Sequence, residues 1–306
     1  MRVIPAVRLA MALVCGAALL VAPMSVGAWG MDVHRWLTRQ ALDGLPGELK
    51  PFFAEQRDFI GEHSVDPDLW RVADLRSSYG GEDPNHFLDI DALDDPAPFR
   101  NVPRTWAGLV EKYGVARAEK AGRLPWRAED MYNKLVSMFQ ELAKPNGSGY
   151  AADNARYLAA VFSHYIEDAH QPFHATENYD GQLTNQRGIH SRFETELVLR
   201  HRESLNVVPT TLRPIGNIRD FMFETVIASQ ALVAPVLQAD RAAAAGRESY
   251  DDAYYAALFA SVRPLLQKRL AETTTSLASV IVAAWEQGGK PALPLKTLRP
   301  PARIRR

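Results

Sequence analysis

Cysteine is almost absent from this sequence of 306 residues, since Cys15 is the only one. One cysteine cannot form a disulfide within the chain, so another kind of cross-link has to stabilise the fold. Alternating polar and apolar residues, which are typical of half-buried strands, are scarce. The long apolar run at residues 9–22 is shorter than the ~20 residues that a helix needs to span a bilayer, which argues against an uncleaved membrane anchor.

An excess of positive charge is absent as well, because the formal net charge is −1. The chain therefore has no general attraction to polyanions, although a local one is not excluded. The two arginines Arg2 and Arg8 precede the apolar run, and the small residues Val26-Gly27-Ala28 follow it. This order is typical of a cleaved export signal. We expect a signal peptide at residues 1–28 and a periplasmic or secreted protein.

Hydrophobic residues make up 47% of the chain, which is ample for a core. Segments with helical periodicity dominate, and they cover residues 32–42, 106–121, 128–143, 152–169, 191–201, 218–234 and 249–285, the last with an expected break at Pro264. Neither an internal repeat nor a linker between domains is visible. The sequence therefore predicts one all-α domain at residues 29–289, followed by a basic, proline-rich and flexible tail at residues 290–306.

Histidines and carboxylates recur at helical spacing in one part of the chain. His164 and Asp168 are four residues apart on one predicted helix, so both can face the same ion. Pro172 is expected to end that helix, which lets His174 turn back toward the same place. A second pair, His190 and Glu194, repeats the spacing.

A lone histidine is more often a core or surface residue than a metal ligand. Two such pairs with a further histidine between them favour a metal site, because neutral imidazole and carboxylate are good zinc ligands. His63, His170 and His201 have no comparable partner, and we interpret them as structural or surface residues.

The chain resembles the superfamily of bacterial zinc-dependent phospholipases C and fungal single-strand-specific nucleases. Four motifs carry this resemblance: His164-x3-Asp168-x5-His174, His190-x3-Glu194, Trp29-Gly30-x3-His34 and Asn85-His86-Phe87-Leu88-Asp89.

The resemblance implies a helical bundle around three zinc ions. Their implied ligands are Asp68, His86, His164 and Asp168 for one ion, His174, His190 and Glu194 for another, and the amino nitrogen and carbonyl oxygen of Trp29 with His34 and Asp168 for the third. Such a cluster would also provide the missing cross-link, since metal-binding energy is folding energy. The resemblance further implies that Asp68 is a possible general base.

Two of these assignments leave alternatives. Asp68 fits the Asp-x-x-Arg pattern of the superfamily better than Asp66, but Asp66 and Asp74 are also candidates. Asp66 and Asp68 could instead be helix-cap or turn residues. For Trp29 and His34 the alternative is an ordinary first helix that packs its indole ring. A free amino group at Trp29 has a reference pKa of ~7.7–8.0, so it can lose its proton and bind metal near neutral pH.

Three functions are compatible with the sequence. The first is a zinc-dependent phosphodiesterase similar to phospholipase C, acting on a phospholipid headgroup. The second is a single-strand nuclease or nucleotidase, and the third is a non-catalytic binding protein that zinc stabilises. We expect residues 177–187 to form the rim of the pocket, where Tyr179 could stack on a base or pack on a lipid headgroup. No obligate protein partner is evident.

Overall fold

The computed structural model describes residues 30–74 and 81–295, and in these residues the secondary structure is helical, with no strand. The expected signal peptide and Trp29 lie outside the described residues. The helices are α1 (Met31–Asp43), α2 (Leu49–Ala54), α3 (Arg57–His63), α4 (Asp66–Asp74), α5 (Trp106–Tyr113), α6 (Val115–Ala121), α7 (Leu124–Leu142), α8 (Ala151–His170), α9 (Ile189–Ser191), α10 (Leu197–His201), α11 (Ile218–Gln230), α12 (Val233–Ala244) and α13 (Asp252–Gln287). The predicted all-α class is confirmed.

Helix α8 lies at the centre of the bundle. It packs against α7, α13, α3, α11 and α1, and its second half is buried on all sides. A helix that is covered all round places its polar residues in the interior as well as its apolar ones. The helix predicted at residues 152–169 agrees with α8 to within one residue at each end.

Two apolar clusters fill the bundle. One contains residues of α7, α8, α11 and the second half of α13, and the other contains residues of α1, α9, α10, α12 and the first half of α13. Helix α13 thus joins the two clusters along its length. Helix α1 also contributes to both clusters, with Val33 and Leu37 in one and Ala41 and Leu42 in the other.

Two predicted helices end earlier than expected. The helix at residues 106–121 is divided at Gly114, whose φ of 79° is disfavoured for other residues, into α5 and α6. The helix at residues 218–234 stops at Gln230, and α12 follows it. The short helices α2, α3 and α4 were not predicted, because six to nine residues carry little periodic signal.

Residues 218–244 are long and apolar enough to cross a membrane. In the structure this stretch is divided between α11 and α12, and Met222, Phe223 and Val226 of α11 are buried in the core. A core helix passes the same test of length and composition.

The first residues of the predicted tail contact the helical domain. The Trp285 indole N–H donates to the Pro291 carbonyl at 3.1 Å, and the buried Arg156 donates to the Pro294 carbonyl at 3.3 Å. Residues 296–306 lie outside the described residues.

The expected break at Pro264 is wrong. Helix α13 runs without interruption from Asp252 to Gln287, with Pro264 inside it and exposed. The buried neighbours Val262 and Leu266 hold the helix in the core on both sides of the proline. Core packing therefore outweighs the hydrogen bond that proline cannot donate.

We expect Pro264→Ala to raise the free energy of unfolding by about 1–3 kcal/mol, because alanine restores the donor and removes the ring from an exposed helix interior. Urea denaturation of the variant and the wild type measures this difference. An unchanged or lower value would mean that the helix has adapted to the proline at no cost.

Candidate metal centre

Helix α8 contributes two predicted ligands from one face. His164 and Asp168 lie one turn apart with fully buried side chains, and His164 Nε2 is 3.3 Å from Asp168 Oδ2. This is the arrangement that the i,i+4 spacing predicts.

The chain reverses directly after α8. Pro172 begins a 3-10 turn, Pro172–His174, and the Gln171 side chain accepts a hydrogen bond from the Phe173 N–H at 2.6 Å. The turn brings His174 Nδ1 to 3.8 Å from Asp168 Oδ1. The predicted return of His174 toward the helix face is therefore present in the structure.

Three other segments place buried side chains against the same face of α8. They are α1 with His34, α4 with Asp68, and the residue after the 3-10 turn Asp83–Asn85, which is His86. The three segments are far apart in sequence, so their meeting depends on the packing of α1 and α4 against α8.

These side chains form two groups that share His164. Within each group, the candidate ligand atoms lie within 4.8 Å of one another. One group is His34, Asp68 and His164, and the other is His86, His164 and Asp168. Asp168 Oδ2 is 3.0 Å from His86 Nδ1, and Asp168 Oδ1 is 3.7 Å from His34 Nε2. Asp168 thus touches both groups, in keeping with the shared role that the resemblance implies.

A third group consists of His174, His190 and Glu194. His190 Nε2 and Glu194 Oε2 are 2.9 Å apart, and Gln171 donates to Glu194 Oε2 at 2.8 Å. Glu194 lies in a π-helical turn, Arg192–Glu196. Such turns are rare and are found frequently at functional sites.

The chemistry of the donor set fits a metal ion. Buried side-chain nitrogens and oxygens nearly always have hydrogen-bond partners, yet this cluster concentrates atoms without one: His34 Nε2, both Asp68 oxygens, His86 Nε2, Asp168 Oδ1, His174 Nε2 and Glu194 Oε1. Imidazole nitrogens and carboxylate oxygens are the donors that zinc accepts. These residues therefore fit a zinc cluster, and their individual roles as ligands remain predictions.

Burial and neighbouring charges shift the pKa values of several of these groups. It lowers the pKa of His174 and of His190 to about 4, so both imidazoles are neutral near pH 7. Burial acts to raise the pKa of Asp168, but His164 and His174 beside it hold the pKa well below its usual range. Burial raises the pKa of Glu194 well above the ordinary value, because a buried negative charge is unfavourable. A bound cation would stabilise that charge.

The structure distinguishes the aspartate candidates by their surroundings. Asp66 Oδ2 is 2.9 Å from His63 Nδ1 and accepts a hydrogen bond from the Tyr157 hydroxyl at 3.0 Å. Asp68 is buried in the cluster with both oxygens unpartnered. The side chain of Asp74 lies outside the described residues. Asp68 is therefore better placed than Asp66 to bind a metal.

Trp29 lies outside the described residues, and Gly30 is the first residue after it. The Gly30 N–H donates to the Thr195 hydroxyl at 3.2 Å, and Thr195 directly follows Glu194. The chain therefore enters α1 beside the segment that carries one of the predicted ligands.

In two of the histidines, Nδ1 lies within hydrogen-bonding distance of a backbone carbonyl oxygen. His164 Nδ1 is 2.9 Å from the Ser64 carbonyl, and His174 Nδ1 is 2.6 Å from the His86 carbonyl. A neutral imidazole that donates from Nδ1 leaves Nε2 free as a metal donor.

Glu167 belongs to this arrangement, although the sequence motifs did not include it. Its Oε2 is 2.5 Å from His34 Nδ1, and its side chain is fully buried. The spacing of three residues after His164 places it on the same face of α8, which is the signal that could have revealed it.

The remaining histidines lie outside the cluster. His170 is buried, with Nδ1 2.7 Å from the Ile166 carbonyl and Nε2 3.1 Å from the Ser276 hydroxyl. His201 stacks on Phe259 with 3.7 Å between ring centroids. These contacts are structural, as the sequence predicted.

The predicted rim segment, residues 177–187, borders the cluster. The Tyr179 backbone lies beside the His190 ring. Arg192 anchors the segment by donating to the Arg187 carbonyl at 2.8 Å and to the Gln186 carbonyl at 3.2 Å. The rim is thus tied to the same turn that carries Glu194.

We expect Asp68→Asn to lower the zinc content by about one ion per chain, since an amide is a weaker zinc donor than a carboxylate. Asp66→Asn is the matched control and should keep the wild-type content, because its partners are His63 and Tyr157. Elemental analysis of both purified variants measures the difference. The reverse outcome would make Asp66 the ligand.

The sequence was compared with known proteins and with models of protein families. Among curated proteins none matches the chain. The sequence model that describes the zinc-dependent phospholipases C matches residues 33–232, which is more than half of the chain. This range contains each candidate ligand that the structure brings together. On this match, with the helical fold and the buried cluster of zinc donors, the chain belongs to the zinc-dependent phospholipase C family.

Proposed function

We propose that this protein is an exported zinc-dependent phosphodiesterase that hydrolyses the phosphate ester of a phospholipid headgroup. The observation that carries the proposal is the convergence of buried, unpartnered imidazole and carboxylate atoms from α1, α4, α8 and the turn at Glu194. Membership of the family supports the reaction class and the lipid substrate.

The side chains of the cluster, together with the amino nitrogen and carbonyl oxygen of Trp29, would hold three ions in the arrangement that the resemblance implies. Zinc ions, when bound, polarise a phosphoryl oxygen and lower the pKa of a water molecule from ~15.7 toward ~7. The reaction then needs no nucleophilic side chain from the protein.

Two side chains complete the proposed site. Asp68 has two unpartnered oxygens, so it can bind a metal through one and accept a proton from water through the other. Arg71 follows one helical turn later, with its guanidinium 3.9 Å from Asp68 Oδ1. Its positive charge at the edge of the cluster suits the orientation of a phosphate group.

Apolar side chains around the cluster favour a lipid over a nucleic acid. Leu183 of the rim segment is 68% exposed and Tyr179 is 49% exposed, while Leu69 and Val72 beside Asp68 on α4 are each 49% exposed. Apolar side chains that surround a polar site suit contact with a lipid surface.

The charges of the rim segment do not favour a groove that binds a nucleic-acid backbone. Lys120 Nζ is 2.9 Å from Glu177 Oε1, and Asp180 lies close enough to His190 to influence its pKa. A groove that follows a nucleic-acid backbone needs an excess of positive charge.

We expect the mature protein to hydrolyse phosphatidylcholine vesicles faster than single-stranded DNA. Leu183→Ser should slow vesicle hydrolysis by about 10- to 100-fold, since burying a leucine side chain contributes about 1.5–3 kcal/mol. Hydrolysis of a short-chain, monomeric phosphatidylcholine should remain unchanged. Release of the phosphorylated headgroup measures both rates.

The control is Val208→Ser, at a residue that is 57% exposed. Val208 precedes Pro209, which packs against Gly44 beyond the C-terminal end of α1, away from His34. Faster cleavage of DNA than of lipid would favour the nuclease alternative. Bound zinc without activity on either substrate would favour a non-catalytic binding protein.

Export belongs to the same proposal, because the implied third ion needs the free amino group of Trp29. We expect a variant with an additional Met before Trp29 to keep the two zinc ions that side chains bind, to lose the third, and to lose most of its activity. An amide nitrogen binds zinc poorly near neutral pH. Elemental analysis and turnover, compared with protein cleaved before Trp29, measure the effect. Equal values in both forms would separate export from metal binding.

A further inference from the structure

The orientation of His34 depends on a carboxylate. Its Nδ1 lies 2.5 Å from Glu167 Oε2, and neither side chain is exposed to solvent. Its Nε2 has no hydrogen-bond partner and belongs to the candidate metal group with Asp68 and His164. The two nitrogens of this ring therefore have separate surroundings, a carboxylate on one side and the metal centre on the other.

His164 and His174 are oriented differently. Their Nδ1 atoms face the backbone carbonyls of Ser64 and His86. A carbonyl is a neutral acceptor, whereas a carboxylate acceptor raises the basicity of the imidazole that donates to it. Among these three rings, His34 is thus the one that a side-chain carboxylate supports.

The position of Glu167 is itself fixed. The Thr38 hydroxyl donates to Glu167 Oε1 at 2.7 Å. His34 and Thr38 are one turn apart on α1, so the pair presents two partners to one carboxylate on α8. Each oxygen of Glu167 has its own partner, and the carboxylate cannot turn away from His34 without losing one of them.

We propose that Glu167 is a positioning residue that sets the zinc affinity of the site containing His34. It holds the imidazole proton on Nδ1, so that the lone pair of Nε2 faces the metal centre, where Asp168 Oδ1 lies 3.7 Å away. The other candidate group, His174, His190 and Glu194, lies outside its contacts and does not depend on it. The proposal rests on the proposed zinc-dependent function.

Glu167→Gln tests the role of the charge, because glutamine has the same shape and is neutral. Competition with a chromophoric zinc chelator measures the affinity of each class of site. We expect one class to weaken by about 10- to 100-fold, the usual effect of losing such a partner, and the remaining sites to keep wild-type affinity. The matched control is Ser276→Ala, which removes the partner of His170, a buried histidine outside the cluster, and should leave every affinity unchanged.

The wild-type protein provides a measurement that does not depend on the folding of a variant. In zinc-loaded protein labelled with ¹⁵N-histidine, long-range ¹H–¹⁵N spectra should show His34 protonated at Nδ1, with a proton shifted downfield by the carboxylate. Protonation at Nε2 would overturn the proposal.

The other outcomes separate this proposal from the proposed function. Wild-type protein that binds no zinc contradicts the function itself. Wild-type protein that binds zinc, with Glu167→Gln binding equally well, contradicts only the role of Glu167. An equal loss of affinity at every site would show that Glu167 supports the fold generally, which also overturns the proposal.

Discussion

The burial of imidazoles and carboxylates in one cluster is the constraint on which the rest of this structure depends. Each buried polar group without a partner costs about 1–3 kcal/mol, and a whole protein is stable by only about 5–15 kcal/mol. Several such groups converge around Asp168. A bound cation would turn this cost into a gain, so the fold and the metal are coupled. The chain has no disulfide to take over that role, since Cys15 is its only cysteine.

Helix α8 is suited to this constraint because other helices cover its second half on all sides. Its inward polar face then has to find partners inside the protein, and it finds them on α1, α4 and the turn Pro172–His174. Glu167 shows how close this fit is, since one carboxylate on α8 contacts both His34 and Thr38 of α1. Packing α1 against α8 and orienting a predicted ligand are therefore one event. Substitutions that shift α1 would alter both.

Local patterns in the sequence were sufficient for much of this result. Helical periodicity predicted the all-α class and the bounds of α8, because an amphipathic or fully buried helix is encoded within a short stretch of chain. The i,i+4 spacing predicted the pairs His164 with Asp168 and His190 with Glu194, since residues one turn apart share a face of the helix. Proline after α8 predicted the return of His174.

Tertiary contacts decided what local patterns could not. Core packing carries α13 through Pro264, because Val262 and Leu266 are buried on either side of it. His63 and Tyr157 hold Asp66, whereas Asp68 meets His34 and His164, which come from segments far away in the chain. The sequence by itself determined the helical class and the types of metal donor, because both depend on spacing within single helices. The tertiary structure decided which donors meet, because this depends on how separate helices pack. The contact between Glu167 of α8 and His34 of α1 is an example.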